Sequence, residues 1–308
     1  YDPYFAHLAR SKGAVLLTET TVASLLRKQG RIVGVNTDRG PRNACVVFIA
    51  EGDASHLIQS ERLERVAHPH YLQGVKAVLD LPSTEIEQRL DLQAGEGAAF
   101  EVLVRNPSVA GRTARLNIGG FLYTNRDSIS LGYVAPLDNL REEFRGDHGV
   151  LLEWIRSLPL LGGLTNGARL SSWGTKIIRS GGWRDRPVLV EDGLAVGGSS
   201  AGLGIDIPFP NFTGPASATG LFFARAVKNL LRDGKSLDAR NLAAAYVEPL
   251  RTSVYGKNAR YLAHWPSYFG RSRVLFGRIP DVICGTARFL ASGSLLDSGR
   301  FLRRHLLS

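Results

Sequence analysis

AVGGSSAG, residues 195–202, stands between an apolar strand and the clearest helix of the sequence, TGPASATGLFFARAVKNLLRD, residues 213–233. Thr213 is predicted to cap that helix, and Pro215 lies early, where a proline is tolerated. A small-residue loop lets backbone N–H groups approach a phosphate or a ring oxygen, and the helix N-terminus adds a positive dipole end. The alternative is a plain turn between strand and helix, which the glycines taken alone favour.

A second apolar strand ends in a similar way. Residues 44–50 lead into Glu51-Gly52-Asp53-Ala54-Ser55. Open α/β sheets bind ligands outside the carboxyl ends of their strands, so a glycine at this point is compatible with a ligand contact. By itself this pattern is weak. A third segment, GGFLYTNRDSISLG at residues 119–132, reads as a β-hairpin with its turn at 125–127.

In this order and spacing, the three segments resemble the FixC and electron-transfer-flavoprotein:quinone oxidoreductase group, within the wider geranylgeranyl-reductase and hydroxylase class of flavoproteins. In that group a strand ending Ala-Glu/Asp-Gly precedes a Ser, as residues 50–55 do here. Residues 74–78, with 81–82 and 86–87, resemble its GVKEV…LP…IE segment, and residues 121–132 resemble its FLYTNKDSLSLG hairpin. The resemblance runs from residue 1 to about 270, and the hairpin and the ordered combination are its most specific parts.

The resemblance implies an FAD-dependent oxidoreductase that passes electrons from an electron-transfer flavoprotein toward a quinone. The isoalloxazine ring accepts the electrons while the protein positions and tunes it, so no acid–base dyad is needed and no catalytic residue is assigned. The implied FAD contacts are Glu51, Gly52, Ser55, Gly197, Gly198, Ser199, Ser200, Gly202 and Gly214.

The apolar loop at residues 205–212 passes near the flavin ring by the same resemblance. Its two aromatic residues, Phe209 and Phe212, are candidates for lining a quinone channel. Packing of these rings in the core is the alternative, and the sequence favours neither.

The sequence departs from the family pattern in two places. Where many relatives carry Gly-Asp at the second flavin motif, it has Gly198 followed by Ser199 and Ser200, although the quinone oxidoreductase branch also lacks the Asp. The strand–GxGxxG–helix unit that holds the pyrophosphate occurs nowhere in residues 1–308. The chain also begins at Tyr1 and contains no Met. We therefore expect part of a longer protein, which binds FAD weakly or not at all until a longer product or a partner chain completes the site.

The expected fold is α/β, in the sense of a mixed α+β chain. A partial FAD-binding domain of the hydroxylase type is interrupted by a β-sheet substrate domain and followed by a helical end. The expected division is 1–65 for the partial FAD-binding domain, 66–180 for the substrate or quinone domain, 181–240 for the return of the FAD-binding domain and 241–308 for a helical, basic C-terminal region.

Hydrophobic periodicity and turn signals predict the individual elements. Helices are predicted at 2–12, 55–68, 83–90, 139–156 (ended by Pro159) and 213–233, with two more in 238–263 and a helical tail. Strands are predicted at 14–18, 20–27, 31–37, 44–50, 71–80, 98–105, 115–124 and 128–135, with two short ones in 187–197.

Charge separates the C-terminal region from the rest of the chain. Of the net charge of +10, most comes from residues 251–308, which carry ten Lys or Arg residues and only two Asp residues. These arginines stand among aromatic residues such as Trp265 and Phe269, which favours contact with an anionic membrane surface. Plain solvated helices are the alternative. Nucleic acid is not expected, because no nucleic-acid motif accompanies the charge. The expected location is cytoplasmic, peripheral to the membrane.

The two cysteines, Cys45 and Cys284, exclude a disulfide scaffold and a four-thiolate zinc or iron–sulfur site within these 308 residues. The family's cluster is therefore expected on a ferredoxin-like segment or partner. Cys45 lies in an apolar run and is expected to be buried. His68-Pro69-His70 is read as a surface turn rather than a metal site, because no third ligand is evident.

Three functions stay open from the sequence. They are FixC-like electron transfer, flavin-dependent reduction of isoprenoid double bonds, and a non-catalytic fragment or subunit that needs a partner to complete the FAD site. The hairpin favours the first over the second, and the missing GxGxxG unit motivates the third. A hydrolase is disfavoured, since Ala201 stands where a G-x-S-x-G elbow needs glycine.

Overall fold

The computed structural model describes residues 2–109, 111–145, 147–204, 211–264 and 274–292. The chain divides into two compact units. The first contains residues 2–67, 186–203 and 212–258, and the second contains 68–185, Gly204, Asn211 and the described residues from 259 onward. Residues 68–185 are thus inserted between two stretches of the first unit. The mixed α/β fold predicted from the sequence is confirmed, while the finer domain division stays a prediction.

Strands occur in both units, and the four longest belong to the second unit. They are β1 (Val22–Lys28), β2 (Arg31–Thr37), β3 (Gly40–Asn43), β4 (Val47–Ile49), β5 (Tyr71–Asp80), β6 (Ala99–Arg105), β7 (Ser108–Val109), β8 (Arg112–Thr113), β9 (Asn117–Thr124), β10 (Ser128–Pro136), β11 (Arg169–Arg179), β12 (Val190–Glu191) and β13 (Leu194–Val196).

Helices also occur in both units. They are α1 (Asp2–Ser11), α2 (His56–Ser60), α3 (Ser83–Leu90), α4 (Leu137–Phe144), α5 (His148–Arg156), α6 (Pro159–Thr165), α7 (Thr213–Arg232), α8 (Ala239–Leu242), α9 (Glu248–Thr252), α10 (Val254–Tyr261) and α11 (Ile279–Ser292). A π-helical turn at Ala243–Val247 joins α8 to α9, so residues 239–252 form one helical segment. A 3₁₀ turn at Gly198–Ala201 follows β13.

The first unit contains two small sheets. One is antiparallel, in the order β1-β2-β3, and the other has the order β12-β13-β4. In the second sheet β13 runs parallel to β4, with Ala195 opposite Phe48. Parallel strands end at the same edge of a sheet, so the segments that follow β4 and β13 start side by side.

The second unit is built on a five-stranded antiparallel sheet in the order β11-β5-β10-β9-β6. In β5, Val75, Ala77 and Leu79 are buried in a core that also contains apolar residues of α3, α4, α5 and α6. Successive strand residues point to opposite faces, so Gly74 and Lys76 lie on the other face, where Lys76 is exposed. The described helices therefore cover one face of the sheet, and we call the other face, where Lys76 is exposed and Ser130 is buried, the open face.

Two long helices predicted from the sequence are shorter than expected. The prediction of one helix at 139–156 is wrong, because Arg145 adopts a left-handed conformation that ends α4. Asp147 then starts α5 by accepting two backbone N–H groups of its first turn. The predicted end at residue 156 is confirmed, because α5 ends at Arg156, and Pro159 lies in the first turn of α6. The helix predicted at 55–68 ends at Ser60.

Three further expectations fail for local reasons. Residues 14–18 form no strand, and Val15 is 83% exposed, since no described strand pairs with them. Cys45 is exposed, because it lies just before β4 and outside the paired residues. Strand β11 was not predicted: it is an edge strand whose side chains, such as Trp173, are largely exposed, so it lacks an alternating pattern.

Candidate functional site

The first corner, defined as residues 50–55, follows β4 directly. Gly52 adopts φ +88°, a left-handed conformation that suits glycine. The Ser55 hydroxyl donates to Glu51 Oε2 over 2.5 Å and accepts from the Ile58 N–H over 3.2 Å. Glu51 Oε2 also accepts from the Leu57 N–H over 3.0 Å. Glu51 and Ser55 together cap α2, so both side chains are already committed to shaping the corner.

The second corner, residues 197–202, follows β13. The Gly197 N–H donates to Ile49 O over 2.8 Å, which continues the pairing of β13 with β4. The chain then makes the 3₁₀ turn and leaves it at Gly202, which is buried and adopts φ +67°. Ser199 is half-buried, and its hydroxyl makes no hydrogen bond to the described residues.

The two corners touch each other. The Ser200 hydroxyl donates to Gly52 O over 2.7 Å, although 148 positions separate the two residues in the chain. A Cβ built at Gly198 would lie 3.3 Å from Ala50 Cβ, so the backbones of the two corners approach closely. The predicted convergence of two small-residue corners at the ends of buried strands is confirmed as geometry. Their contact with a cofactor stays a prediction.

Two side chains that the sequence analysis did not single out form hydrogen bonds to the backbone of the second corner and of the strand before it. Thr219 on α7 accepts the Gly198 N–H and donates to Ala216 O, both over 2.6 Å. Tyr246, in the π-helical turn, donates its hydroxyl to Val196 O over 2.7 Å. The helical spacing of α7 predicts a buried face, but it does not reveal that Thr219 binds a loop 21 positions earlier in the chain.

Aromatic packing closes the same region. The rings of Phe48 and Phe223 stack with centroids 4.2 Å apart, and Tyr246 meets both edge-on. The Phe48 ring occupies the space that a Cβ at Gly197 would need. Burial raises the pKa of the Tyr246 phenol above its ordinary value. Only a glycine therefore fits at 197 without moving this aromatic cluster.

The loop before α7 and the start of that helix contain the remaining predicted residues. Phe212 is half-buried and immediately precedes α7, while Phe209 lies outside the described residues. Gly214 is half-buried in the first turn. Thr213 is the first helical residue, so the prediction that its side chain caps the helix is wrong. The roles of Phe212 in a quinone channel and of Gly214 at FAD stay predictions.

The His68-Pro69-His70 motif leads into a separate cluster in the second unit. His70 Nδ1 lies 2.6 Å from Asp185 Oδ2, and Arg184 donates to the other Asp185 oxygen over 2.8 Å. The buried Arg179 donates to Asp185 O and to the Tyr71 hydroxyl. Burial raises the pKa of Asp185, but the hydrogen bonds from Arg184 and His70 lower it further, so the pKa lies below its ordinary value. The cluster ties the beginning of β5 to the residues that follow β11.

The described residues contain no group of three or more His, Cys, Asp or Glu side chains placed to hold a metal ion. None of their helices combines the length and the apolar character that crossing a membrane requires.

Comparison with known sequences gives clear relatives, although no protein-family model matches the chain. FixC of Escherichia coli K12 is 30% identical over 292 residues, which cover 94% of this chain and 66% of that protein. The probable electron transfer flavoprotein-quinone oxidoreductase YdiS of the same organism is 28% identical, over 92% of this chain and 64% of its own length. The chain thus spans about two thirds of the length of these two curated relatives, and 47% of some others.

Solved structures show a similar fold at low sequence identity. The halogenase PltM, in complex with phloroglucinol and FAD, superposes with a TM-score of 0.59 at 15% identity. The superposition covers 98% of this chain and 59% of that one. At this identity the likeness concerns the fold, which is one that FAD-dependent enzymes use.

Proposed function

The chain belongs to the FixC family of FAD-dependent oxidoreductases, and from this premise we propose that its two corners bind part of an FAD molecule. The observation that carries the proposal is the 2.7 Å hydrogen bond from Ser200 to Gly52 O, which brings both corners to one place. When bound, FAD supplies the electron-accepting ring, and the protein binds and orients it.

The residues present fit such a cofactor in part. The corners offer backbone and small side chains, so a flat, oxygen-rich molecule can come close to the main chain. Ser199 presents a half-buried hydroxyl, which can donate to a ribityl or phosphate oxygen. The Gly198 N–H already donates to the Thr219 hydroxyl. The side chains of Glu51 and Ser55 already hydrogen-bond to each other and, through Glu51, to the first turn of α2. We therefore assign the direct contacts to Gly52, Ser199 and Gly202, and a shaping role to Glu51 and Ser55.

Titration of the 308-residue chain with FAD, followed by flavin fluorescence, tests this assignment. We expect saturable but weak binding, because the sequence contains no GxGxxG unit to hold the pyrophosphate. The variant Ser199→Leu should weaken binding at least tenfold by filling the space above the turn, while Ser172→Leu on the exposed edge strand β11 should not. Equal affinity in the two variants would contradict the assignment, whereas no binding by the unmodified chain would mean that a longer product or a partner chain must complete the site. Tight stoichiometric binding would instead contradict the expected incompleteness of the site.

We further propose that the electrons come from an electron-transfer flavoprotein and go to a quinone, with a ferredoxin-like partner carrying the iron–sulfur cluster. The name of YdiS and the resemblance to FixC support this path for the electrons. The presence of only two cysteines in the sequence supports a separate carrier for the cluster. Stopped-flow reduction of the FAD-loaded protein by a reduced electron-transfer flavoprotein is the test. No reaction with that donor, together with flavin oxidation by an isoprenoid double bond, would favour the isoprenoid reductase instead.

A peripheral contact with the cytoplasmic membrane surface completes the proposal. Ile279 and Ile283 lie four residues apart on α11 and are 45% and 62% exposed, next to the exposed Arg278. Such a combination suits the headgroup region of an anionic bilayer. Co-flotation with phosphatidylglycerol vesicles should exceed that with phosphatidylcholine vesicles and should fall in the double variant Ile279→Ser/Ile283→Ser. Equal flotation with both lipids, or no loss in the double variant, would refute the contact.

A further inference from the structure

Arg184 lies between two imidazole rings in the second unit. Its Nη2 is 2.9 Å from His70 Nδ1, and its Nη1 is 3.5 Å from His264 Nδ1. His70 immediately precedes β5, Arg184 lies in the 3₁₀ turn that follows β11, and His264 follows α10. Arg184 and His264 are exposed and His70 is half-buried. Three side chains that can donate hydrogen bonds thus meet at one accessible place.

Asp185 determines where the ring hydrogen of His70 lies. Asp185 Oδ2 accepts the backbone N–H of His70 over 2.7 Å and lies 2.6 Å from its Nδ1. A carboxylate only accepts hydrogen bonds, so Nδ1 carries a hydrogen and donates it to Asp185. A ring nitrogen that donates has no lone pair left for Arg184, although Nη2 lies only 2.9 Å away. The Nη2 hydrogens of Arg184 are therefore not taken up by this nitrogen.

The guanidinium of Arg184 has five N–H groups, and only one of them makes a short hydrogen bond that its acceptor can complete. This is the Nε–H, which donates to Asp185 Oδ1 over 2.8 Å and fixes the orientation of the group. The contacts of the Nη atoms to His70 Nε2 and His264 Nδ1 are both 3.5 Å long, at the outer limit of a hydrogen bond. The paired Nη donors match two oxygens of a phosphate or a carboxylate.

Two glycines allow the backbone to hold this arrangement. A Cβ at Gly181 would overlap the carboxylate of Asp185, so the absence of a side chain makes room for it. Gly182 adopts φ +56°, and a Cβ there would collide with Ala259 O, in the segment that leads to His264. The loop is therefore shaped to hold both the carboxylate and the segment that carries the second histidine.

The charges of the cluster favour an anion. Arg179 and Arg184 contribute two positive charges and Asp185 one negative charge, which leaves a net positive charge. Asp185 is 2% exposed, whereas Arg184 is exposed, so an incoming anion meets the guanidinium before the carboxylate. A proton taken up by either imidazole would add another positive charge.

We propose that Arg184, flanked by His70 and His264, binds the phosphate group of a small molecule. The Nη atoms supply a pair of donors for two oxygens, and His264 supplies a donor for a third. A phosphate suits the site better than a carboxylate does, because it has the third oxygen and the greater charge. The proposal concerns the second unit alone and does not depend on FAD binding at the corners.

Titration of the 308-residue chain with inorganic phosphate, at an ionic strength kept constant with chloride, tests the site. The ring signals of the seven histidines are followed by NMR. We expect the signals of His70 and His264 to shift saturably, with a dissociation constant of about 1 mM. Arg184→Lys keeps the charge but removes the fork, and it should weaken binding about fivefold. His264→Gln should weaken binding about threefold and leave the fold intact, because this side chain is exposed.

The matched control is Arg126→Lys, on the hairpin turn, where the arginine side chain is 94% exposed. This variant should bind phosphate like the unmodified chain. Unshifted histidine signals, the same shifts with chloride alone, or unchanged affinity in both Arg184→Lys and His264→Gln would overturn the proposal.

Two further ligands define what the site recognises. Acetate should bind at least about fivefold more weakly than phosphate, and equal affinity would overturn the assignment to phosphate. AMP identifies the source of the phosphate group. Tighter binding of AMP than of inorganic phosphate assigns the site to a phosphate monoester, and equal or weaker binding assigns it to the free ion. Both results support a phosphate site.

Discussion

The two corners of the first unit and the open sheet face of the second differ in what surrounds their glycines. At the corners, Gly197 and Gly198 are surrounded by their own protein: Phe48 fills the space beside one, and Thr219 binds the N–H of the other. On the open face, the Phe121 ring fills the space beside Gly132, but nothing lies within 4 Å of a Cβ built at Gly174. Close packing fixes the backbone shape at the first kind of position, and the second kind leaves space above the strand. Substitutions in the two regions should therefore affect stability and binding differently.

The largest effect is expected at Gly197. Gly197→Ala places a methyl group against the Phe48 ring, and overpacking of this kind costs about 2–3 kcal/mol. Chemical denaturation of the first unit measures the loss. The matched control is Gly220→Ala on α7, where nothing lies within 4 Å of the new Cβ, and it should leave stability equal or slightly higher. Similar losses of stability in the two variants would show that the contact between residue 197 and Phe48 does not matter for folding.

A smaller loss is expected at Thr219. Thr219→Val keeps the shape of the side chain but leaves the Gly198 N–H without its acceptor in a buried position, which costs about 2 kcal/mol. Thr219→Ser retains the hydroxyl and should recover most of this free energy of unfolding. The FAD affinity should follow the same order if the corner must be held to bind the cofactor. A valine variant as stable as the serine variant would show that this bond does not hold the corner.

A still smaller loss of stability is expected from removing the hydrogen bond that joins the two corners. Ser200→Ala removes the donor to Gly52 O and should lower stability by about 1 kcal/mol, the usual net value of one hydrogen bond. Ser199→Ala next to it should leave stability unchanged, because that hydroxyl makes no hydrogen bond to the described residues. Thermal unfolding of both variants provides the measurement. A greater loss for Ser199→Ala would mean that the roles of the neighbouring serines are reversed.

The smallest effect is a difference in acidity between two tyrosines, one from each region. Partial burial raises the pKa of Tyr123, but hydrogen bonding and the charge of Lys76 together lower it below its ordinary value, whereas burial raises the pKa of Tyr246. Of these two tyrosines, Tyr123 should therefore ionise at the lower pH and Tyr246 at the higher pH. The ¹³Cζ chemical shifts of the two rings measure this order. Neutral Tyr246 favours the folded state, so its contribution to stability is fully present below pH about 10 and is lost as the pH rises above that. Ionisation in the reverse order would contradict the causes given for both pKa shifts.

Much of this fold is predictable from short-range patterns. Alternation of apolar residues and a clear turn define the hairpin, and Asn125 N–H indeed donates to Ser128 O over 2.8 Å. The period of the 213–233 segment defines α7, whose observed bounds are Thr213–Arg232. The meeting of the two corners follows from one assumption, that β4 and β13 are neighbouring parallel strands.

The rest depends on long-range contacts that no local pattern encodes. Tyr246 supports Val196 from 50 positions away. Lys76 and Tyr123 meet only because β10 lies between their strands in a particular register. The break at Arg145 was missed because a left-handed arginine has no sequence signature comparable to that of glycine.

The parallel pairing of β4 with β13 also constrains the order of events during synthesis. When residues 47–49 leave the ribosome, their partner strand has yet to be translated, and the whole of the inserted segment comes before it. The hairpin of β9 and β10 needs only nearby residues and can pair earlier, since closing a short loop costs less entropy. Until β13 is synthesised, the backbone N–H and C=O groups of β4 that pair with it have no partner. During this interval the first unit is most open to binding by chaperones and to misassembly.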